Sequence, residues 1–291
     1  MSTSERFFTL VDADTLRANL GRPDWRVIDC RHDLLQPQAG QLAYAKGHIA
    51  GAVFAHMDRD LSGTKTARSG RHPLPDPDRL VECFRRWGIE PDTQMVAYDA
   101  SAGSLAARLW WLARWLGHEA VALLDGGWQA ALEAGLIIES AEPSIAPSRF
   151  ERGPPLVRLA DVDAVQTARA DPGWLIIDAR APDRYAGRNE TIDPVAGHIP
   201  AAVNRFWQAN IGTDGRFKPA DQLRSEFRAL LGARAAANVI SQCGSGITAC
   251  HNLLAMQRAG LAGAALYPGS WSQWIADPAR PVAVGSEPAG S

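Results

Sequence analysis

The chain repeats several short motifs along its 291 residues, and this duplication constrains the fold more than any other feature of the sequence. An apolar run ending in Asp-x-Arg contains Asp29, and a second such run contains Asp178, 149 residues later. A Gly-His-Ile motif contains His48 and returns around His198, 150 residues later. A nearly constant offset across separate motifs predicts two copies of one domain.

A third match supports the duplication, and the stretch between the copies predicts the domain boundaries. Residues 96–103 align with residues 239–246 at an offset of 143. The stretch between the copies is rich in proline and has no clear periodicity, which is typical of a linker. We therefore predict a first domain at residues 1–140, a linker at 141–157 and a second domain at 158–291.

Both copies alternate short apolar runs with helical patterns, which predicts an α/β fold. Apolar runs bounded by turn residues are typical of parallel strands that are covered on both faces. Each domain is therefore expected to be a mostly parallel sheet flanked by helices on both faces. Predicted strands are residues 26–30, 95–99, 121–125, 175–179, 238–242 and 264–268, and predicted helices are 78–87, 104–116, 219–231 and 247–259.

Composition and charge exclude several classes of function. The net charge is −2, from 30 basic and 32 acidic residues, so charge gives no case for a nucleic-acid or membrane partner. The sequence has no run of 18 apolar residues, and its N-terminus does not resemble a secretory signal, so we expect a cytoplasmic protein. Its four cysteines are too few for a disulfide scaffold and lack zinc-ligand spacing, and we expect no metal.

One cysteine stands where a reactive thiol is expected. Cys243 follows a predicted buried strand, and Gly244 and Gly246 come next, just before a predicted helix. Such a loop can direct several backbone N–H groups and a helix N-terminus at one point, which stabilises an anion there. A thiolate on Cys243 benefits first, and so does a persulfide. In the first copy Ala100 stands at the matching position, so that copy is expected to lack a nucleophile.

Together these motifs resemble the tandem-domain sulfurtransferases of the rhodanese family. The resemblance covers about residues 8–285. It is carried by Asp-x-Arg in both copies, Gly-His-Ile-Pro-Ala at 197–201, Leu-Asp-Gly-Gly-Trp at 124–128 and Cys-Gly-Ser-Gly-Ile-Thr at 243–248. It implies two rhodanese-like domains, the first inactive, and a persulfide on Cys243 that passes sulfur from a donor to an acceptor. No metal or organic cofactor is implied.

The resemblance also implies roles for individual residues. The backbone of Gly244, Ser245, Gly246, Ile247 and Thr248 would surround the sulfur. Ser245 would act with a histidine matching His48, and Asp33 is the candidate for the acidic member of that relay. Arg184 would hold the anionic end of the donor. The mercaptopyruvate enzymes place a second arginine nine residues further on, where this chain has Asp193, and Arg188 is the candidate replacement.

The donor and acceptor stay open at this point. The neutral residues after Cys243 favour 3-mercaptopyruvate, with thiosulfate as the alternative donor. Cyanide or a thiol, including thioredoxin, could accept the sulfur. Two other functions remain: a phosphatase-like enzyme, which the six-residue loop at 243–248 disfavours, and a non-enzymatic sulfide carrier, which the retained cysteine disfavours.

Overall fold

Each predicted copy forms a five-stranded parallel sheet in the computed structural model, which describes residues 5–286. The chain divides into two units that exchange short segments. Unit 1 comprises Met1–Gly63, Pro75–Leu156 and Thr213–Phe217. Unit 2 comprises Thr64–Leu74, Val157–Gly212 and Lys218–Ser291. The exchange of 64–74 and 213–217 was not predicted from the sequence.

Unit 1 has strand order β1-β6-β5-β2-β4, and every pairing in that sheet is parallel. A short antiparallel pair, β3 with β7, lies outside it. The strands are β1 Leu10–Val11, β2 Trp25–Asp29, β3 His48–Ile49, β4 Val53–Phe54, β5 Gln94–Tyr98, β6 Val121–Leu124 and β7 Ile138–Glu139. The helices are α1 Ala13–Asn19, α2 Ala39–Lys46, α3 Pro77–Arg86, α4 Ala106–Trp115 and α5 Gly127–Glu133.

Unit 2 has strand order β8-β12-β11-β9-β10, again all parallel, and this order repeats that of unit 1 strand for strand. The strands are β8 Arg158–Leu159, β9 Leu175–Asp178, β10 Ala202–Asn204, β11 Val239–Gln242 and β12 Ala265–Leu266. The helices are α6 Val162–Ala168, α7 Pro182–Tyr185, α8 Ala220–Leu231, α9 Ala249–Arg258 and α10 Ser270–Trp274, with 3-10 turns at Trp207–Asn210 and Ala236–Asn238. The predicted duplication and α/β fold are confirmed.

The central strands of both sheets are buried along their whole length. Every residue of β5 and of β11 is buried, as expected for a parallel strand covered on both faces. A separate apolar core lies in each unit. The buried strand β11 therefore fixes the position of Cys243, which is the next residue in the chain.

The Asp-x-Arg motifs tie a strand end to a following loop in both units. In unit 1, Nη2 of Arg31 donates to Oδ2 of Asp29 at 2.6 Å and to the carbonyl of Gly47 at 2.7 Å. In unit 2, Nη2 of Arg180 donates to Oδ2 of Asp178 at 2.7 Å and to a glycine carbonyl at 2.8 Å. Both aspartates are fully buried, so the motif is structural in each copy.

Most of the predicted linker packs on unit 1. The segment 141–157 forms neither helix nor strand, but its backbone is hydrogen-bonded along much of its length. The amide of Ser148 donates to the carbonyl of Arg85 at 2.9 Å, and that of Gly153 donates to Leu116 at 2.8 Å. The division between the units falls after Leu156.

Across residues 5–286, none of the helices is both long enough and apolar enough to span a lipid bilayer.

Candidate active site

Cys243 begins a tight loop between β11 and α9, which we name the cysteine loop (residues 243–248). Its backbone is held by the segment that follows β12. The amide of Cys243 donates to Oγ of Ser270 at 3.1 Å, and the Cys243 carbonyl accepts from Trp271 at 3.0 Å. The Gly244 carbonyl accepts from Ser272 at 3.0 Å. The thiol therefore sits on a fixed backbone and is only 2% exposed.

The loop stabilises the thiolate form of Cys243. The amide of Gly246 donates to Sγ at 3.1 Å. Burial pushes the pKa of the thiol upward, but hydrogen bonds from the Thr248 side chain and from the amides of Ser245, Ala249 and Gly246 outweigh it, so that pKa is lowered. We name the N–H groups of Ser245, Gly246 and Ala249 the amide cradle. A buried sulfur held in this way is an activated nucleophile.

Gly244 and Gly246 of the loop are each required for a different steric reason. Gly246 has a φ of +81°, and a Cβ there would lie 2.3 Å from the carbonyl oxygen of Pro268. Gly244 has ordinary backbone angles, but a Cβ there would lie 2.8 Å from Nη2 of Arg71 and 3.6 Å from Nη2 of Arg184. Gly244 therefore makes room for two guanidinium groups directly beside the nucleophile.

Ser245 pairs with a histidine, but not with the one expected. Its Oγ lies 2.8 Å from Nδ1 of His72, in the segment 64–74 that belongs to unit 2. The expectation that His48 partners Ser245 is corrected, because the ring of His48 is committed elsewhere. His48 lies in unit 1, fully buried and stacked on Tyr44 at 3.8 Å between ring centroids, and its Nδ1 contacts the Tyr44 carbonyl at 2.8 Å.

Asp33, the candidate for the acidic member of the relay, has a local role in the structure. It is exposed, and its Oδ1 accepts from the amide of Leu35 at 2.8 Å, in a turn of unit 1. Ile247 is buried and its carbonyl accepts from the amide of Cys250 at 3.1 Å, which begins α9.

Arg184 lies beside the cysteine loop within a network of ion pairs. Its Nη2 is 2.8 Å from Oε1 of Glu190 and 3.1 Å from Oδ2 of Asp193. Asp193 also pairs with Nη1 of Arg71. Arg188 is exposed, and across residues 5–286 its guanidinium forms no ion pair. The structure thus places Arg71, rather than Arg188, next to Arg184.

The remaining cysteines lack a comparable environment. Cys30 is buried, and burial together with the nearby Asp29 raises its pKa well above the ordinary value. For Cys83, burial and the carboxylate of Asp60 raise the pKa to about 11. Cys250 is fully buried in α9 and its Sγ donates to the Gly246 carbonyl at 3.4 Å. Cys243 is the thiol that combines burial with a lowered pKa.

The matching loop of unit 1 contains a carboxylate instead of a sulfur. Oδ1 of Asp99 accepts from the amides of Ser101 at 2.7 Å and Gly103 at 2.9 Å. Oδ2 accepts from Leu105 and Ala106, both at 2.8 Å. An internal anion therefore occupies the amides that would face a thiolate. Ala100 stands in this loop where unit 2 has Cys243.

One group of side chains could hold a metal ion. One ligand atom each from His32, His56 and Asp58 lies within 4.8 Å of the others, in unit 1. Burial lowers the pKa of His32 and of His56, so both rings are neutral near pH 7. None of these residues belongs to the cysteine loop.

Sequence reasoning did not include Arg71 and His72 among the site residues, because they lie in a Gly- and Pro-rich stretch. One signal was available. The offset between the copies falls from 150 at the histidines to 143 at Val96, so the first copy has seven extra residues between these positions. That interval contains the segment 64–74, which packs with unit 2. The amide of Arg71 donates to Oγ of Ser272 at 3.1 Å and anchors the segment there.

Known proteins resemble this chain over nearly its whole length. The rhodanese-like domain family matches residues 12–134 and 161–277. A Pseudomonas aeruginosa protein named "Probable 3-mercaptopyruvate sulfurtransferase" is 47% identical over 278 residues, which cover 95% of this chain and 98% of that protein. An Arabidopsis thaliana protein named "Thiosulfate/3-mercaptopyruvate sulfurtransferase 2" is 30% identical over 316 residues, covering 98% and 88%. The structure of 3-mercaptopyruvate sulfurtransferase from Leishmania major matches with a TM-score of 0.81 at 31% identity, covering 91% of this chain and 73% of that one.

Proposed function

Because this chain belongs to the rhodanese family, with two rhodanese-like domains, we propose that it is a sulfurtransferase that carries sulfur as a persulfide on Cys243. The observation that supports this most is the buried Cys243 thiol, whose pKa is lowered by the amide cradle and Thr248. The same donors suit the persulfide, which is also an anion. Unit 1 supplies no second nucleophile at the matching position, where Ala100 stands.

The proposed reaction has two displacement steps. The Cys243 thiolate attacks the sulfur of the donor, a sulfur–sulfur bond forms and the donor's carbon–sulfur bond breaks. With 3-mercaptopyruvate the bonding electrons stay on the carbon, which gives the enolate of pyruvate. A nucleophilic acceptor then attacks the outer sulfur, the sulfur–sulfur bond breaks and the thiolate is restored.

Ser245 and His72 are suited to move the proton that the first step requires. The donor's thiol proton must leave the sulfur, and the enolate carbon must gain one proton to become pyruvate. Transfer of that proton from sulfur to carbon balances the step and leaves the persulfide as an anion. Oγ of Ser245 and Nδ1 of His72 are 2.8 Å apart, which is within hydrogen-bond distance for such a transfer. We propose this pair, and not Ser245 with His48, as the relay.

The surroundings of the loop favour 3-mercaptopyruvate as the donor. The residues that follow the cysteine, Gly244 and Ser245, are neutral, and Arg184 is already paired with Glu190 and Asp193. The local excess of positive charge is therefore small. A monoanionic carboxylate that takes a bidentate hydrogen bond suits this environment better than the dianion of thiosulfate.

Substitution of the cysteines tests the nucleophile. We expect Cys243→Ser to reduce thiocyanate formation from cyanide to background, because a hydroxyl cannot form the persulfide. Cys83→Ser and Cys250→Ser are the matched controls and should retain most activity. Measurable turnover by the Cys243→Ser protein would contradict the mechanism. So would a wild-type protein that shows no gain in mass from a persulfide sulfur after incubation with donor.

The donor is tested by comparing kcat/KM for 3-mercaptopyruvate and thiosulfate on one preparation, with cyanide and then a thiol as acceptor. A preference for 3-mercaptopyruvate supports the proposal. A preference for thiosulfate would show that thiosulfate, and not 3-mercaptopyruvate, is the main donor. Thioredoxin, added in place of the small thiol, tests whether a protein dithiol of a reducing cytoplasm takes the sulfur.

A further inference from the structure

Five charged side chains of unit 2 alternate in sign and end beside the cysteine loop. Nη1 of Arg180 lies 3.4 Å from Oε2 of Glu190, and Glu190 contacts Arg184 at 2.8 Å. Arg184 contacts Asp193 at 3.1 Å, and Asp193 pairs with Arg71. We name this series the charge chain. It begins at the buried Asp-x-Arg motif and ends at an arginine from the segment 64–74.

The acids of the charge chain are enclosed, whereas Arg71 and Arg184 are partly exposed. The side chains of Glu190 and Asp193 are 2% exposed, so neither carboxylate is open to direct contact with a ligand. The side chains of Arg71 and Arg184 are 21% and 18% exposed. The acids therefore orient the two guanidinium groups and leave part of each available to a ligand.

Both available guanidinium groups lie next to the nucleophile. A Cβ on Gly244 would lie 2.8 Å from Nη2 of Arg71 and 3.8 Å from Nη1 of Arg184, whose Nη2 donates to Glu190 and Asp193 instead. Gly244 is the residue directly after Cys243. Nη1 of Arg71 is taken by Asp193, and its Nη2 has no hydrogen-bond partner among residues 5–286. Two N–H donors from separate arginines therefore converge where a donor's anionic group can approach.

We propose that Arg71 and Arg184 together bind the carboxylate of the donor, and that Asp193 positions Arg71 for this task. This inference rests on the proposed sulfurtransferase function. It also explains a departure in the sequence, because Asp193 stands where the mercaptopyruvate enzymes are expected to have their second arginine. In this chain the positive charge comes from position 71, and the acid at position 193 holds it in place.

The arrangement predicts that the two charges can be exchanged. Arg71→Asp places two acids together, and Asp193→Arg places three arginines together, so each single variant should lose donor binding. The double variant Arg71→Asp with Asp193→Arg restores an oppositely charged pair at the same place. We expect each single variant to raise the KM for 3-mercaptopyruvate by about 10- to 100-fold, and the double variant to recover at least tenfold in kcat/KM.

Less disruptive variants separate donor binding from folding. Arg71→Ala should raise KM at least tenfold with a smaller change in kcat, and Arg71→Lys should recover part of that loss. Arg68→Ala is the matched control, because Arg68 is an exposed arginine of the same segment whose contact with Gln273 uses only its backbone carbonyl. The circular dichroism spectra of all of these variants should match that of the wild-type protein, which reports an intact fold.

A binding measurement without turnover completes the test. Isothermal titration calorimetry measures the affinity of the Cys243→Ala protein for pyruvate. We expect this affinity to be at least tenfold lower in the double variant that also carries Arg71→Ala. A wild-type KM in the Arg71→Ala enzyme, or a double-exchange variant no better than the worse single variant, would overturn this inference and leave the proposed function standing. Absence of transfer by the wild-type protein with every donor would instead overturn the proposed function.

Discussion

Two buried cysteines of this chain show how local hydrogen bonds decide the state of a thiol. Cys30 is 1% exposed and Cys243 is 2% exposed, so both lose their hydration to the same extent. For Cys30, burial and nearby carboxylates raise the pKa of the thiol. For Cys243, burial also acts upward, but Thr248 and the amide cradle reverse the direction. Hydrogen-bond donors, not exposure, therefore distinguish the reactive thiol.

Removing one of those donors should return the pKa of Cys243 toward its ordinary value. We expect Thr248→Val to raise that pKa. Because the thiolate forms above the pKa, the pH midpoint for reaction with iodoacetamide should move upward and the rate near pH 7 should fall. Thr248→Ser keeps the hydroxyl and should behave like the wild-type protein. An unchanged midpoint in Thr248→Val would remove its side chain from the stabilisation of the thiolate.

At the scale of single residues, the sequence was sufficient for some assignments and insufficient for others. Cys243 could be predicted because a buried strand, two glycines and a helix meet at one residue. Arg71 and His72 could not, because they lie in a segment without periodicity. The family resemblance implied a histidine at position 48, but the His48 ring is buried against Tyr44 in the structure.

At the scale of the structural elements, most boundaries follow from simple patterns. The predicted strand at 238–242 and helix at 219–231 are Val239–Gln242 and Ala220–Leu231 in the structure. Apolar runs and turn residues fix such elements locally. The predicted helix start at 247 is Ala249 instead, because the first residues after Cys243 fold around the sulfur before the helix begins.

The loop in unit 1 offers a direct test of how an anion stabilises this element. Asp99 accepts hydrogen bonds from four backbone amides. Asp99→Ala leaves those buried donors without partners, so we expect unfolding to require on the order of 3 kcal/mol less free energy. Acetate or formate at high concentration should recover part of that loss, because a small carboxylate can occupy the vacated position.

Asp78→Ala is the control for this measurement, since the Asp78 side chain is 84% exposed in the first turn of α3. Its effect on stability should stay below about 1 kcal/mol. Chemical denaturation monitored by tryptophan fluorescence measures both variants. A loss below about 1 kcal/mol for Asp99→Ala would show that the amides find other partners when the carboxylate is removed.

At the scale of the whole chain, sequence order and structural grouping differ. The predicted domains at 1–140 and 158–291 are contiguous, but the segment 64–74 groups with unit 2 and the segment 213–217 groups with unit 1. Long-range packing decides this grouping. Phe217, for example, donates its amide to Oδ1 of Asp125 at 2.8 Å. No local pattern in either segment encodes such a contact.

This grouping predicts that unit 2 cannot function as a contiguous piece. A protein comprising residues 157–291 contains Cys243 but lacks Arg71 and His72. We expect it to transfer sulfur from 3-mercaptopyruvate at least 100-fold less efficiently than the intact chain, even where circular dichroism shows that it is folded. Co-expression with residues 1–156 should restore transfer. Full activity of 157–291 alone would contradict the roles assigned to the segment 64–74.

The exchanged segments have a consequence for the history of such a chain. After a gene duplication, the copy that loses its nucleophile is normally free to decay or be deleted. Here the copy with Ala100 in place of a cysteine also carries the segment 64–74, which completes the surroundings of the other copy's thiol. Deleting the first copy would therefore remove part of the second. We therefore expect selection for transfer at Cys243 to retain the first copy as well.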